Sequence, residues 1–105
     1  MSDWQAQASN FAKKHNLTHS AGVYALDLIS ELGEVAKEIL KATNYGEVDS
    51  PQFNQEQITS ELGDVLYSLC LLATAVDVNL DEAFATALHK YETRMQKKGH
   101  IGSQE

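Results

Sequence analysis

The stretch TSELGDVLYSLCLLATAV, residues 59–76, decides the fold. With Ile58 in front of it, the apolar residues Ile58, Leu62, Val65, Leu69, Leu72 and Val76 recur at alternating intervals of four and three. That is the period of an α-helix, and it predicts a helical stripe packed in a bundle. From Val65 to Ala73 there is no charge, and only Tyr67 and Ser68 carry a hydroxyl. Leu66 and Leu71 project away from the main stripe, so this helix is apolar on more than one face. A helix apolar nearly all round is normally buried on all sides. In a chain of 105 residues that predicts a partner subunit: a homodimer or a dimer of dimers (a homotetramer), with this helix near the interface.

Working outward, cap and stop residues divide the chain into four helices. Asn54 with Gln57 opens the helix just described, which ends at Val76. Upstream, a helix runs from about Ser20 to Thr43 and stops at Asn44-Tyr45-Gly46, a good C-terminal signal. Turn formers then fill Glu47 to Phe53, including the single proline, Pro51. The first helix spans about Asp3 to His15, with Ser2 and Gln5 spaced as a capping box. Downstream, the short connection Asp77-Val78-Asn79 predicts a near-antiparallel turn into a last helix. Asn79 and Glu82 cap that helix, and Gly99 stops it after Lys98. Strand-like alternation is absent. The expectation is an all-α, four-helix antiparallel bundle forming a single domain over residues 1–105.

Composition narrows the functional class. Fifteen acidic residues against eight Lys and Arg give a formal charge of −7, so the basic footprint of a nucleic-acid binder is missing. No run of about 18 uncharged apolar residues and no basic-then-apolar N-terminus is found, which predicts a soluble, cytoplasmic protein without a membrane partner. The lone cysteine, Cys70, sits in an apolar run and reads as a buried, inert thiol. His15, His19, His89 and His100 show no metal-ligand spacing. The absence of Glu-x-x-His disfavours a ferritin-like di-iron bundle, and no GxxxxGK[ST] loop is present.

Two near-copies of one short pattern carry the chemistry: Ser30-Glu31-Leu32-Gly33-Glu34-Val35 and Ser60-Glu61-Leu62-Gly63-Asp64-Val65. Each sets two carboxylates three residues apart, on one side of a helix and one turn apart, where like charges cost a few tenths of a kcal/mol. Each also holds a mid-helix glycine, costing about 1 kcal/mol relative to alanine. A hard divalent cation such as Mg²⁺, which takes oxygen ligands and keeps waters and phosphate oxygens, would explain both. The competing reading is a set of solvated acidic faces. It is strongest for Asp27, Glu31, Glu34 and Glu38, which form one stripe with Lys41 nearby.

The ordered set Glu31-x-x-Glu34, Glu61-x-x-Asp64, Val78-Asn-Leu-Asp-Glu-Ala and Lys90-Tyr91-Glu92-x-Arg94 resembles the signature of the MazG-like all-α nucleoside triphosphate pyrophosphohydrolases, over about residues 20–98. The resemblance implies an oligomeric helical bundle with Glu31, Glu34, Glu61 and Asp64 as Mg²⁺ ligands, Mn²⁺ being able to substitute. It implies hydrolysis of a (d)NTP to (d)NMP and pyrophosphate in nucleotide-pool house-cleaning, with Glu34 as the candidate catalytic base. Lys90 and Arg94 match the family's basic positions and would hold phosphates; as plain cations at a helix end they would also suit the C-terminal dipole. Lys97 and Lys98 read as surface residues. Two departures stand out: Ser30 and Ser60 replace the extra acid that many members carry, and Leu88 stands where an asparagine is common. The alternatives are phosphoribosyl-ATP pyrophosphohydrolase-like activity, or a catalytically silent helical oligomer that binds nucleotide or a protein. Trp4 and Phe11, seven apart, and Tyr67, one turn beyond Asp64, read as packing residues before substrate contacts.

Overall fold

Four helices form where the caps predict them. In the computed structural model, which describes residues 3–49 and 51–102, α1 spans Trp4–Lys14, α2 Ala21–Ala42, α3 Gln55–Ala75 and α4 Leu80–Lys98. Ser20, Asn54 and Asn79 each accept a hydrogen bond from the backbone N–H three residues on (Val23, Gln57 and Glu82), satisfying one of the orphan donors at each helix start. The α2 stop uses left-handed backbone at Asn44, Tyr45 and Gly46. The Thr43 hydroxyl donates to the Ile39 carbonyl and accepts from the Gly46 N–H. Gly99 closes α4 at φ 77°, a conformation that costs glycine little.

The start of α1 differs from expectation. Its N-cap is Asp3, whose side chain makes no capping bond. Ser2 lies outside the described residues, and the Gln5 side chain is engaged with Val78 and Leu80, more than seventy residues along the chain.

The core lies where α1 and α2 meet α3. Ala8 and Ala12 of α1, Tyr24 of α2, and Cys70 and Leu71 of α3 are buried together, flanked by Leu66, Tyr67, Leu72 and Leu80. The Tyr24 hydroxyl accepts from the His19 N–H at 2.7 Å, which fastens the α1–α2 loop to this core. Cys70 is 1% exposed, and burial pushes its thiol pKa up, as an inert thiol requires.

Burial on α3 divides the stripe expected from the sequence: Ile58, Val65 and Leu72 are half-buried. Leu71, expected off the main stripe, is buried, whereas Leu62, Leu69 and Val76 of that stripe are exposed. The small Ala8 and Ala12 side chains let α1 settle on the Cys70–Leu71 side, which leaves Leu62, Leu69 and Val76 outward while Leu72 packs against the core. Apolar stripes also remain open on α2 (Leu26, Ile29, Leu40) and on α4 (Phe84, Leu88, Tyr91, Met95). No α4 residue is fully buried. The radius of gyration is 16.8 Å, against about 13 Å for a compact chain of this length. By length and apolarity α3 is a helix that could cross a membrane, but it carries Glu61 and Asp64 and packs against both α1 and α2.

Leu71→Ala should lower the unfolding free energy by about 2–4 kcal/mol, measured by urea denaturation.

Candidate metal centre

The α2–α3 pair is the most extensively packed pair of helices, and its register decides which acids meet. Glu31 sits toward the α3 side of α2, half-buried, and faces Glu61 and Asp64 of α3. Carboxylate oxygens of these three residues lie within 4.8 Å of one another. They come from both copies of the repeated motif, as a shared cation would require. Glu34, the fourth acid of the set, is exposed and outside this group.

Electrostatics sharpen the assignment. Partial burial, followed by the negative charges of Asp64, Glu61, Glu34 and Asp27, raises the Glu31 carboxyl pKa above the usual range. Each of these four charges is negative. Asp27, one turn before Glu31, belongs to this field although it is absent from the repeated motif. Glu38 is balanced separately by Lys41 at 3.5 Å. A cluster of hard oxygen donors with mutual repulsion fits a divalent cation, which would replace repulsion by coordination.

Gln57 supplies a further part of the site. Its backbone N–H bonds to the Asn54 cap at 3.0 Å, while its side-chain amide donates to Glu61 Oε1 at 2.6 Å. That bond holds one carboxylate in orientation, the supporting role that ligand-bonded neighbours serve in metal sites. The signal was available in the sequence: Gln57 and Glu61 are four residues apart, on one helical face.

The glycines of the two motifs are not required by packing within the chain. A Cβ built at Gly33 or Gly63 meets nothing within 4 Å. Gly63 lines a cavity of about 340 Å³ together with Trp4, Phe11, Leu66, Tyr67 and Cys70. Trp4 and Phe11, expected as packing residues, are at least half exposed; Phe11 meets Tyr67 edge-on at 6.1 Å.

The predicted phosphate ligands lie on α4 and have other contacts. Lys90 Nζ sits 5.2 Å from the centroid of the Tyr91 ring, and Arg94 Nη1 donates to the Ile101 carbonyl at 2.9 Å. The structure thus joins Glu31, Glu61 and Asp64 and leaves Lys90 and Arg94 on a separate arm.

Comparison with known proteins identifies the family. The family model for the MazG nucleotide pyrophosphohydrolase domain matches residues 19–98. The chain is 38% identical over 68 residues to the protein YpjD of Bacillus subtilis (strain 168), covering 64% of this chain and 60% of that one. It is 29% identical over 72 residues to the Gene 37 protein of Mycobacterium phage L5, covering 69% of this chain and 63% of that one. The matches thus span less than two thirds of each curated relative. Among solved structures, that of the candidate pyrophosphatase YpjD from Bacillus subtilis superposes with a TM-score of 0.70 at 33% identity, covering 90% of this chain and 94% of that one. An all-α fold with paired acidic motifs on two packed helices, matched by the family model over residues 19–98, places this chain in the MazG nucleotide pyrophosphohydrolase family.

Proposed function

We propose that this protein is a Mg²⁺-dependent hydrolase that converts (d)NTPs to (d)NMPs and pyrophosphate in the cytoplasm, as a house-cleaning enzyme of the nucleotide pool. The observation that carries this reading is the convergence of Glu31, Glu61 and Asp64 from two helices into one uncompensated negative cluster. Glu31, Glu61 and Asp64 would hold the metal directly, with Glu34 completing the set from the solvent side. A bound Mg²⁺ would supply charge neutralisation on the phosphates and a lowered pKa for an adjacent water. Mn²⁺ would substitute, having the same taste for oxygen ligands.

The residues of the chain supply the rest. Gln57 keeps Glu61 aimed inward. Glu34, exposed one turn from Glu31, is free to accept the proton of the attacking water. The water oxygen forms a bond to a phosphorus of the α–β bridge in line with the leaving oxygen, and the bond to that bridging oxygen breaks. One product is the nucleoside monophosphate and the other is pyrophosphate. Lys90 and Arg94 would hold the phosphates of the bound triphosphate by charge and hydrogen bonding.

The open stripes on α2, α3 and α4 support assembly into a homodimer or homotetramer. Leu26, Ile29, Gly33, Ala36 and Leu40 share one outward line of α2, with small residues at its middle, which suits close approach of another helix. Large apolar faces exposed by a lone chain mark such contacts.

Pyrophosphate release from a panel of NTPs and dNTPs should require Mg²⁺ and vanish with chelator; Asp64→Asn and Glu61→Gln should each lower kcat/KM by about a hundredfold or more. Turnover indifferent to chelator would contradict the assignment. In metal-free buffer, Glu31→Gln should raise stability by a few tenths of a kcal/mol by relieving like-charge repulsion. The same variant should lose the upward shift in Tm that Mg²⁺ gives the unaltered protein. Light scattering should return the mass of two or four chains.

A further inference from the structure

A side chain on α1 grips the root of α4. Gln5 Nε2 donates to the Val78 carbonyl at 2.7 Å and to Thr74 Oγ1 at 3.2 Å. Gln5 Oε1 accepts from the Leu80 N–H at 2.8 Å. One carboxamide therefore ties α1 to the last turn of α3, to the connecting turn and to the first residue of α4. The Leu80 N–H is among the donors that a helix start leaves without an intrahelical acceptor. Asn79 satisfies the Glu82 N–H at 3.1 Å, and Gln5 satisfies Leu80 from a different helix. A carboxamide meets the demand for two donated bonds and one accepted bond at once, whereas an ionised Glu has no donor and Met has no donor and only a weak acceptor.

The position of this clasp gives it leverage. No residue of α4 is fully buried, and Leu80 is the α4 residue that packs against the core. The direction of the helix is consequently set at its first turn. Arg94 is fourteen residues beyond Leu80, or about 21 Å along the helix. A tilt of about 10° at the root moves Arg94 by about 4 Å, more than the length of a hydrogen bond.

We infer that Gln5 is a positioning residue that aims α4, and with it Lys90 and Arg94, for contact with the triphosphate. This rests on the proposed role of Lys90 and Arg94 as phosphate ligands. Gln5 touches neither substrate nor metal in this scheme and acts through the orientation of the arm.

The test uses the full-length protein and its Gln5→Met variant, with Ala8→Gly as a control that weakens α1 while keeping the clasp. In Gln5→Met the Leu80 amide should exchange its hydrogen about tenfold faster or more. KM for the best substrate among the common NTPs and dNTPs should rise about tenfold with kcat within about twofold, the signature of lost uniform binding. Ala8→Gly should lower Tm and leave KM unchanged. Leu80 exchange unaltered in Gln5→Met overturns the clasp. Faster exchange with unchanged KM, or an equal KM change in Ala8→Gly, overturns the aiming role and makes Gln5 a structural staple. If the unaltered protein releases no pyrophosphate, the aiming role falls with the functional reading, while the Leu80 measurement still decides the clasp.

Discussion

The constraint on which this structure turns is mutual repulsion among Glu31, Glu61 and Asp64, held together by apolar packing of α2 on α3. Side chains of like charge in solution move apart, and these are prevented from doing so by the helices that carry them. Burial first, and then the negative charges of Asp64, Glu61, Glu34 and Asp27, raise the pKa of the Glu31 carboxyl. A fold that retains such a cluster gives up stability at that point. In the proposed reading preorganised carboxylates are the return, since a hard cation would bind without first having to assemble its ligands.

The same economy of packing explains why the isolated chain is so open. Its own core is built largely from two alanines, a tyrosine, a cysteine and a leucine, which is little for a domain of this size. Apolar stripes on three helices remain outward, and α4 stands on its first turn. Two features that look like defects in a monomer, the unfilled space at Gly33 and the uncovered stripe of α4, become intelligible if further subunits complete the bundle. In the proposed assembly the acid cluster would belong to one chain, and the apolar faces around it would be covered by other subunits.

How much could be read from the sequence depends on whether the deciding interaction is local. Ser20, Asn54 and Asn79 cap by bonding to a backbone three residues away, so helix starts were legible almost to the residue. The acidic motifs were legible as well, because duplication on two helices advertised them. Which acids converge was not, because the α2–α3 register brings in Glu31 and leaves Glu34 outside, and motif spacing is identical for both. Periodicity along α3 showed which residues share a face but not which face meets the chain's own α1; Ala8 and Ala12 settle that, and they carry no pattern of their own. Gln5 was misread for a related reason. Its spacing from Ser2 suggested a local cap, whereas its partners lie more than sixty residues downstream.

The most direct test of the central claim is a crystal structure of the protein with Mg²⁺ and a triphosphate carrying a non-hydrolysable α–β bridge. The account predicts an ion held by oxygens of Glu31, Glu61 and Asp64 at about 2.0–2.1 Å, shared with phosphate oxygens. An ion bound elsewhere, with those three carboxylates turned to bulk solvent in the assembled protein, would contradict it.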